Sequence, residues 1–248
     1  MSNQAIALDV QDLSKSYGAL QVTKHISFQV HEGEALGVIG PNGAGKTTLF
    51  NLITGAVSPN AGTVHLFNKN ATAMQARERC HLGVARSFQV PQPFSGLTTF
   101  ENVLVAASFG QQISQTSAYE SARLALEQTG LIKHAEDKAG ALTLLNRKRL
   151  ELARAIATRP RMLLLDEIAG GLTEAECHDL VELIRSIKTS GVTIVWIEHV
   201  LHALLSVVDR IAVLDFGELI AVGEPETIMK SPEVSSIYLG LEPEADGV

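Results

Sequence analysis

Two hydrophobic patterns alternate along the 248 residues: short runs that are almost wholly apolar, and longer segments whose apolar positions lie three and four residues apart. The first pattern is typical of buried strands and the second of amphipathic helices. A Phe-Gly pair at the centre of RIAVLDFGELIAVG (210–223) predicts a hairpin. Other strands are predicted at ISFQV (26–30), ALGVIG (35–40), TVHLF (63–67), MLLLD (162–166) and TIVWIE (193–198).

Helices are predicted over 46–55, in two segments between 98 and 130, over 146–158 before Pro160, and from about Thr173. The last of these helices lies between two buried strands. Because a strand, a helix and a second strand in this order normally form a parallel unit, we predict an α/β fold with a parallel sheet.

The segment GPNGAGKTT matches G-x-x-x-x-G-K-[ST] between a buried strand and a helix. Glycines let the backbone N–H groups wrap a phosphate chain, a lysine reaches the β and γ phosphates, and the next hydroxyl binds Mg²⁺. The alternative is an ordinary glycine turn beside a lysine, but the flanking elements favour a nucleotide site. The predicted ATP-binding loop comprises Gly40, Pro41, Asn42, Gly43, Ala44, Gly45, Lys46, Thr47 and Thr48, with Lys46 also catalytic and Thr47 a metal ligand.

Three further polar residues follow buried strands. Asp166 and Glu167 come at the end of MLLLDE, and His199 follows TIVWIE. Ligands collect at the carboxyl ends of parallel strands. Acids there are often only solvated caps, but behind a phosphate loop we expect Asp166 to hold Mg²⁺ and Glu167 to polarise the attacking water. His199 is placed to reach the γ-phosphate.

Composition narrows the class of protein. A net charge of −7 argues against a general nucleic-acid binder. The longest apolar runs are too short to cross a bilayer, and MSNQAIALDV does not resemble a secretory signal, so a cytosolic protein is expected. Cys80 and Cys177 are expected to be reduced thiols, because they lie far apart and in no metal-binding spacing.

These motifs and their order, with RKRLELARA (147–155), resemble the nucleotide-binding subunit of ATP-binding cassette (ABC) transporters over nearly the whole chain. The resemblance implies a P-loop NTPase core with an antiparallel β subdomain and a helical subdomain. The core with its β subdomain would comprise 1–92 and 159–240, the helical subdomain 93–158, and a tail 241–248.

The same resemblance implies roles for single residues. Tyr17 would stack on adenine, and Gln89 would contact Mg²⁺ and link the site to a membrane partner. Glu167 would be the general base, and His199 would contact the γ-phosphate and fix the geometry. Residues 89–102, with Phe94 as a hydrophobic contact, are expected to face that partner.

Two segments, FQVPQPFSGLTTFENVLVAA (88–107) and EPETIMKSPEVSSIYLG (224–240), look like the ATPase subunits of branched-chain amino acid importers. This implies ATP and Mg²⁺ as cofactors, membrane permeases and a second ATPase subunit as partners, an external solute-binding protein as an indirect partner, and a peripheral position at the cytoplasmic side of the inner membrane. The alternatives are an ABC system for urea, amides or lipopolysaccharide, and a soluble ABC ATPase acting on ribosomes or DNA.

LTLLN (142–146) stands where ABC proteins carry LSGGQ, which grips the γ-phosphate held by the opposite subunit of a dimer. Thr143 keeps a hydroxyl, whereas Leu144 and Leu145 replace both glycines and Asn146 replaces glutamine. Either the helix N-terminus still offers its N–H groups with helical φ while the leucines pack away, or this half-site is weakened. In the second case the chain would pair with a different ATPase whose intact signature completes the site on Lys46.

Overall fold

The computed structural model describes residues 5–110 and 113–234, so the predicted tail lies outside the described part of the chain. The strands are β1 (Ile6–Tyr17), β2 (Leu20–His31), β3 (Ala35–Ile39), β4 (Ala61–Leu66), β5 (Lys69–Asn70), β6 (Val84–Arg86), β7 (Met162–Asp166), β8 (Thr193–Ile197), β9 (Arg210–Asp215) and β10 (Glu218–Gly223). The helices are α1 (Lys46–Thr54), α2 (Ala76–His81), α3 (Thr99–Gly110), α4 (Gln115–Gln128), α5 (Leu144–Ala157), α6 (Glu174–Thr189), α7 (Leu201–Leu205) and α8 (Pro225–Met229), with 3₁₀ turns at Ile132–His134 and Ala139–Ala141.

The larger sheet has six strands in the order β10-β9-β3-β8-β7-β6. Its strands run parallel except for β10, which pairs antiparallel with β9 as the predicted hairpin. Every residue of β3, β7 and β8 is buried, as their continuous apolar sequences predict. The order β3-β8-β7-β6 brings the carboxyl ends of four strands side by side at one edge.

The smaller sheet is antiparallel, in the order β2-β1-β4-β5. The sequence analysis assigned no strand to β1, because its apolar alternation is broken. The pairing with β2 shifts register between Val10 and Leu13, and Asp12 in that interval has φ 52°. Such a bulge changes the spacing of inward-facing residues from two to three, which conceals the strand from a period-two search.

In the part of the chain that the structure describes, three hydrophobic clusters hold the elements together. One joins α1 to both sheets, and a second joins α6 and α7 to the other face of the larger sheet. The third lies among α3, α4 and α5. Helix α5 is buried on two sides, since Leu152 and Ala155 belong to the second cluster while Leu150 and Ala153 belong to the third. The predicted fold class, a parallel α/β core with an antiparallel sheet and a helical group, is confirmed.

Candidate nucleotide-binding and hydrolysis site

The loop 40–45 connects β3 to α1 and passes very close to its neighbours. A Cβ at Gly40 would lie 2.1 Å from the carbonyl oxygen of Leu214 in β9, so a larger residue cannot occupy this position without moving backbone. Gly45 precedes α1 with φ 99°, a left-handed conformation that glycine adopts at little cost. The backbone is thereby held in a tight curve at the start of the helix.

Lys46 lies inside this curve and is 6% exposed. Its Nζ donates hydrogen bonds to the carbonyl oxygens of Gly40, at 2.7 Å, and Pro41, at 2.9 Å. Burial lowers the pKa of Lys46, and the nearby charges of Glu167 and Asp166 oppose that shift. The ammonium group is thus placed in the loop and close to both acids.

The start of α1 is suited to an anion. Among residues 5–110 and 113–234, no side chain caps the helix at Gly45, so its first N–H groups are available to a ligand, and they carry the positive end of the helix dipole. Thr47 in the first turn is exposed. A phosphate chain fits these groups together with the Lys46 ammonium.

Glu167 is bonded to two other residues that the sequence analysis singled out separately, His199 and Gln89. Its carboxylate is hydrogen-bonded to His199, with Nε2 at 2.9 Å from Oε1, and accepts a hydrogen bond from the side-chain amide of Gln89 at Oε2. Its own N–H donates to the carbonyl of Ile197 at 2.8 Å. The carboxylate is therefore held in one position by groups that follow β8 and β6.

The backbone of Glu167 is strained. Its φ is 47°, in the left-handed region, where a residue with a side chain costs about 1 kcal/mol or more relative to glycine. The buried residues Ile168 and Ala169 follow directly and anchor the turn in the second cluster. Packing on both sides of the turn holds Glu167 in this conformation.

Asp166 is 4% exposed at the end of β7. Its Oδ2 accepts a hydrogen bond from Arg86 Nη2 at 2.5 Å, and its N–H donates to Ser87 Oγ at 3.4 Å. In the described part of the chain no side chain donates to the other carboxylate oxygen, Oδ1. Arg86 was not among the predicted site residues, because no local pattern in the sequence connects it with Asp166, which lies 80 positions away.

Glu198 is a third carboxylate at these strand ends, and the sequence analysis missed it. It is 2% exposed and accepts hydrogen bonds from the backbone N–H groups of Ala169 and His199, both at 2.9 Å, and of Val200 at 3.2 Å. It therefore ties the turn after Glu167 to the loop that carries His199. An acid directly after a buried apolar strand was the signal used for Asp166, and the same signal was available here.

Lys148 approaches this region from α5 and is 4% exposed. Burial lowers the pKa of Lys148, while the charges of Glu198 and Glu167 oppose the shift. The helix that follows the LTLLN segment thus brings a buried lysine whose pKa depends on the acids of the same chain.

Tyr17 lies at the end of β1, opposite Leu20 across the hairpin turn, and is 48% exposed. The ammonium of Lys15 lies 5.3 Å from the centre of its ring. The hairpin packs against the phosphate loop, because a Cβ at Gly45 would lie 2.6 Å from the carbonyl oxygen of Val22. An exposed aromatic ring is therefore present on the hairpin beside the loop.

At the LTLLN segment, Thr143 is the N-cap of α5, and its Oγ1 accepts a hydrogen bond from the N–H of Asn146 at 3.3 Å. Leu144 and Leu145 are the first two helical residues, and neither has a positive φ. Both residues therefore have the helical φ expected if the helix N-terminus still offers its N–H groups. That interpretation also has the leucines point away into packing, which is wrong for Leu144, because this residue is 44% exposed and lies next to Gly171.

Oxygen donors suited to Mg²⁺ are found in the first turn of α1, at the end of β7 and in the segment after β6. The predicted ligands Thr47, Gln89 and Asp166 offer a hydroxyl, an amide carbonyl and a carboxylate, which is the set this hard cation prefers. The donor chemistry and the uncontacted Oδ1 of Asp166 therefore fit the metal. Among the helices described, none is both long and apolar enough to cross a membrane.

A family model described as ABC transporter matches residues 23–170. The high-affinity branched-chain amino acid transport ATP-binding protein LivG of Escherichia coli K12 is 35% identical over 250 residues, covering 94% of this chain and 97% of LivG. The corresponding protein BraF of Pseudomonas aeruginosa is 36% identical over 248 residues, with the same coverage.

Solved structures give the same result. The ADP conformation of an ATP-binding cassette of an ABC transporter superposes with a TM-score of 0.86 at 30% identity, covering 95% of this chain and 99% of that one. A nucleotide-free ATP-binding cassette gives a TM-score of 0.86, also at 30% identity, covering 95% of this chain and 100% of that one. The chain belongs to the ABC transporter family as an ATP-binding subunit, an ATPase that hydrolyses ATP to drive transport.

Proposed function

We propose that this chain is the motor subunit of an importer for branched-chain amino acids or related small solutes, acting at the cytoplasmic side of the inner membrane. ATP binding would close a pair of cassettes and hydrolysis would reopen them, which drives a permease between two states. The names of LivG and BraF support the cargo class. The observation that carries the hydrolytic part is the Glu167 carboxylate, held by His199 and Gln89 at the sheet edge that carries the phosphate loop.

Glu167 is proposed as the general base. A base must be held within reach of the attacking water, and a carboxylate fixed by two side chains loses little freedom when the substrate arrives. His199 contacts this carboxylate now and is proposed to contact the γ-phosphate when ATP is present. Lys46 would exchange its bonds to the loop carbonyls for bonds to the β and γ phosphates.

Mg²⁺, when bound, would neutralise charge on the β and γ phosphates. Thr47, Asp166 and Gln89 are proposed to hold it. The side-chain amide of Gln89 is hydrogen-bonded through its nitrogen to Glu167, which leaves its carbonyl oxygen as the donor for the metal. Tyr17 is proposed to stack on adenine, since its exposed ring lies on the hairpin that packs against the phosphate loop.

The permease is proposed to contact residues 89–102 and the neighbouring Phe88. Phe88, Val90 and Phe94 are 54%, 65% and 50% exposed, an unusual density of large apolar side chains for a free surface. Phe94 is held in place by Asn102, whose side chain bonds both its N–H, at 2.8 Å, and its carbonyl, at 3.1 Å. A cavity of about 330 Å³ lined by Phe88, Ala106 and Arg154 adjoins these residues.

A second cassette is required if the LTLLN segment acts across a dimer. Leu144, which replaces one of the signature glycines, is the first residue of α5 and adds an exposed apolar side chain at this helix N-terminus. This favours pairing with a different ATPase, whose own signature would complete the site on Lys46. Replacing LTLLN by LSGGQ should then raise ATPase activity in the assembled complex, and unchanged activity would remove the argument for a weakened half-site.

The decisive experiment is to tag this chain in its native cell, extract the membranes gently and identify by mass every chain that co-purifies. Two permeases and a second ATPase would support the importer with a mixed pair, whereas permeases with this chain alone would favour a homodimer. Ribosomal or DNA-repair partners would overturn the transport proposal. Uptake of labelled leucine, compared with labelled urea, would then test the cargo.

The catalytic role of Glu167 is tested by Glu167→Gln, which should abolish turnover while ATP still binds. The matched control is Glu174→Gln, the same chemical change at an exposed position at the start of α6. Retained turnover in Glu167→Gln would refute the general-base assignment.

A further inference from the structure

Arg86 forms a buried junction between three elements. Its Nη2 donates to Asp166 Oδ2 at 2.5 Å, and its Nη1 donates to Asn51 Oδ1 at 2.6 Å. The guanidinium carbon lies 5.5 Å from the ring centre of Phe50 and 5.1 Å from that of Phe88. The side chain is only 9% exposed. Arg86 thus connects β6, the carboxyl end of β7 and helix α1.

This arrangement fixes the direction of the guanidinium. A planar fork that bonds two different acceptors has little freedom, and two aromatic rings add cation–π contacts to its faces. Asn51 lies on α1 five residues after Lys46, so the phosphate loop and the fork are carried by the same helix. The position of the Asp166 carboxylate is therefore set relative to the phosphate loop.

The charges near Asp166 explain why its carboxylate needs Arg86 as a partner. Lys46 carries the opposite charge to Asp166 and is buried in the phosphate loop. Because opposite charges attract, an Asp166 carboxylate with no other cationic partner would be free to pair with the ammonium group that the phosphate needs. Arg86 supplies the alternative partner, occupies Oδ2 and leaves Oδ1 free.

We propose that Arg86 is a positioning residue that holds Asp166 away from Lys46 and presents Oδ1 of this carboxylate to the nucleotide-bound divalent cation. The inference rests on the proposed metal-binding role of Asp166. Arg86 does not touch substrate; it acts through Asp166, as outer residues commonly orient a metal ligand and change metal affinity by about 10- to 100-fold.

The test uses Mn²⁺ as the probe, with ADP bound so that no hydrolysis occurs. Free Mn²⁺ is measured by electron paramagnetic resonance in the intact chain and in Arg86→Met. We expect the Mn²⁺ affinity of the ADP complex to fall about tenfold or more in Arg86→Met, while ADP affinity in excess chelator stays unchanged. The Mn²⁺ affinity of Arg86→Lys should lie between those of the intact chain and Arg86→Met, since lysine keeps the charge but cannot bond both acceptors.

Arg161→Met is the matched control. Arg161 is also paired with an acid, Glu32 at 2.6 Å, and lies over an aromatic ring, that of Phe67 at 3.8 Å, but it is remote from Asp166. Its replacement should leave Mn²⁺ affinity unchanged. If Arg86→Met does not fold, Asn51→Ala removes one of the two bonds of the fork and is expected to weaken Mn²⁺ binding severalfold.

Two results would overturn the inference. The first is that folded Arg86→Met binds Mn²⁺ as tightly as the intact chain; where Arg86→Met does not fold, Asn51→Ala takes its place in this comparison. The second is that the variant loses ADP affinity equally with and without metal. Asp166→Asn separates this failure from failure of the metal site itself. If Asp166→Asn loses Mn²⁺ and Arg86→Met does not, only the role of Arg86 is wrong. If neither variant changes Mn²⁺ binding, the proposed metal site is wrong as well, and the inference falls with it.

Discussion

Replacing Glu198 by glutamine is expected to destabilise the protein strongly although the two side chains have almost the same shape. The carboxylate accepts three backbone N–H bonds while 2% exposed. Glutamine has one oxygen, so its NH₂ group must face at least one of these donors. The least costly arrangement turns NH₂ toward Ala169 and keeps the two bonds from His199 and Val200 as neutral ones.

Three contributions set the expected loss in the free energy of unfolding. One hydrogen bond to a buried charged group is lost and two become weaker, which together cost about 2 to 4 kcal/mol. Lys148 loses an opposing charge, and burial then lowers its pKa further, which adds to the cost. In a chain of this size each kcal/mol lowers Tm by about 2 to 4 °C, so a drop of roughly 4 to 16 °C is expected.

The assay is thermal unfolding of Glu198→Gln, followed by ATPase activity below its Tm. The matched control is Glu226→Gln, where the side chain is 91% exposed and 3.8 Å from Lys230; this variant should melt with the intact chain. Activity of Glu198→Gln should fall, because the turn behind Glu167 and the loop of His199 lose their shared anchor. A Tm equal to that of the control would refute the reasoning, since the buried carboxylate would then contribute nothing.

Three other outcomes are expected. Gly40→Ala should lose ATP binding and melt at a lower temperature, because its Cβ would lie 2.1 Å from the Leu214 oxygen; normal nucleotide binding would contradict this. Thr143→Val should destabilise the protein by about 1 kcal/mol through loss of the α5 N-cap, measured by urea unfolding, whereas Thr143→Ser should not. Burial raises the pKa of the Cys80 and Cys177 thiols, so fewer thiolates are present at pH 8 than in free cysteine. Both thiols should therefore react with a disulfide reagent more slowly than free cysteine, and their rates should rise at higher pH. Rates equal to that of free cysteine would contradict the burial.

The sequence by itself determined the elements that depend on neighbours along the chain. The continuous apolar runs identified the buried strands β3, β7 and β8, because a strand covered on both faces needs apolar residues at every position. The glycine and lysine spacing of 40–48 identified the phosphate loop, since that geometry is local. Thr173, predicted near the start of a helix, is the N-cap of α6, and its capping box is likewise a contact within four residues.

Tertiary structure decided the contacts between distant segments. Arg86 meets Asp166 across 80 positions, and Gln89 meets Glu167 across 78, only because β6 pairs with β7 in the larger sheet. Glu198 reaches Ala169 across 29 positions because β8 lies beside β7. A local pattern can give a residue its place at a strand end, but which strands become neighbours is set by the packing of the whole sheet. That packing turned separate polar residues into one hydrolysis site.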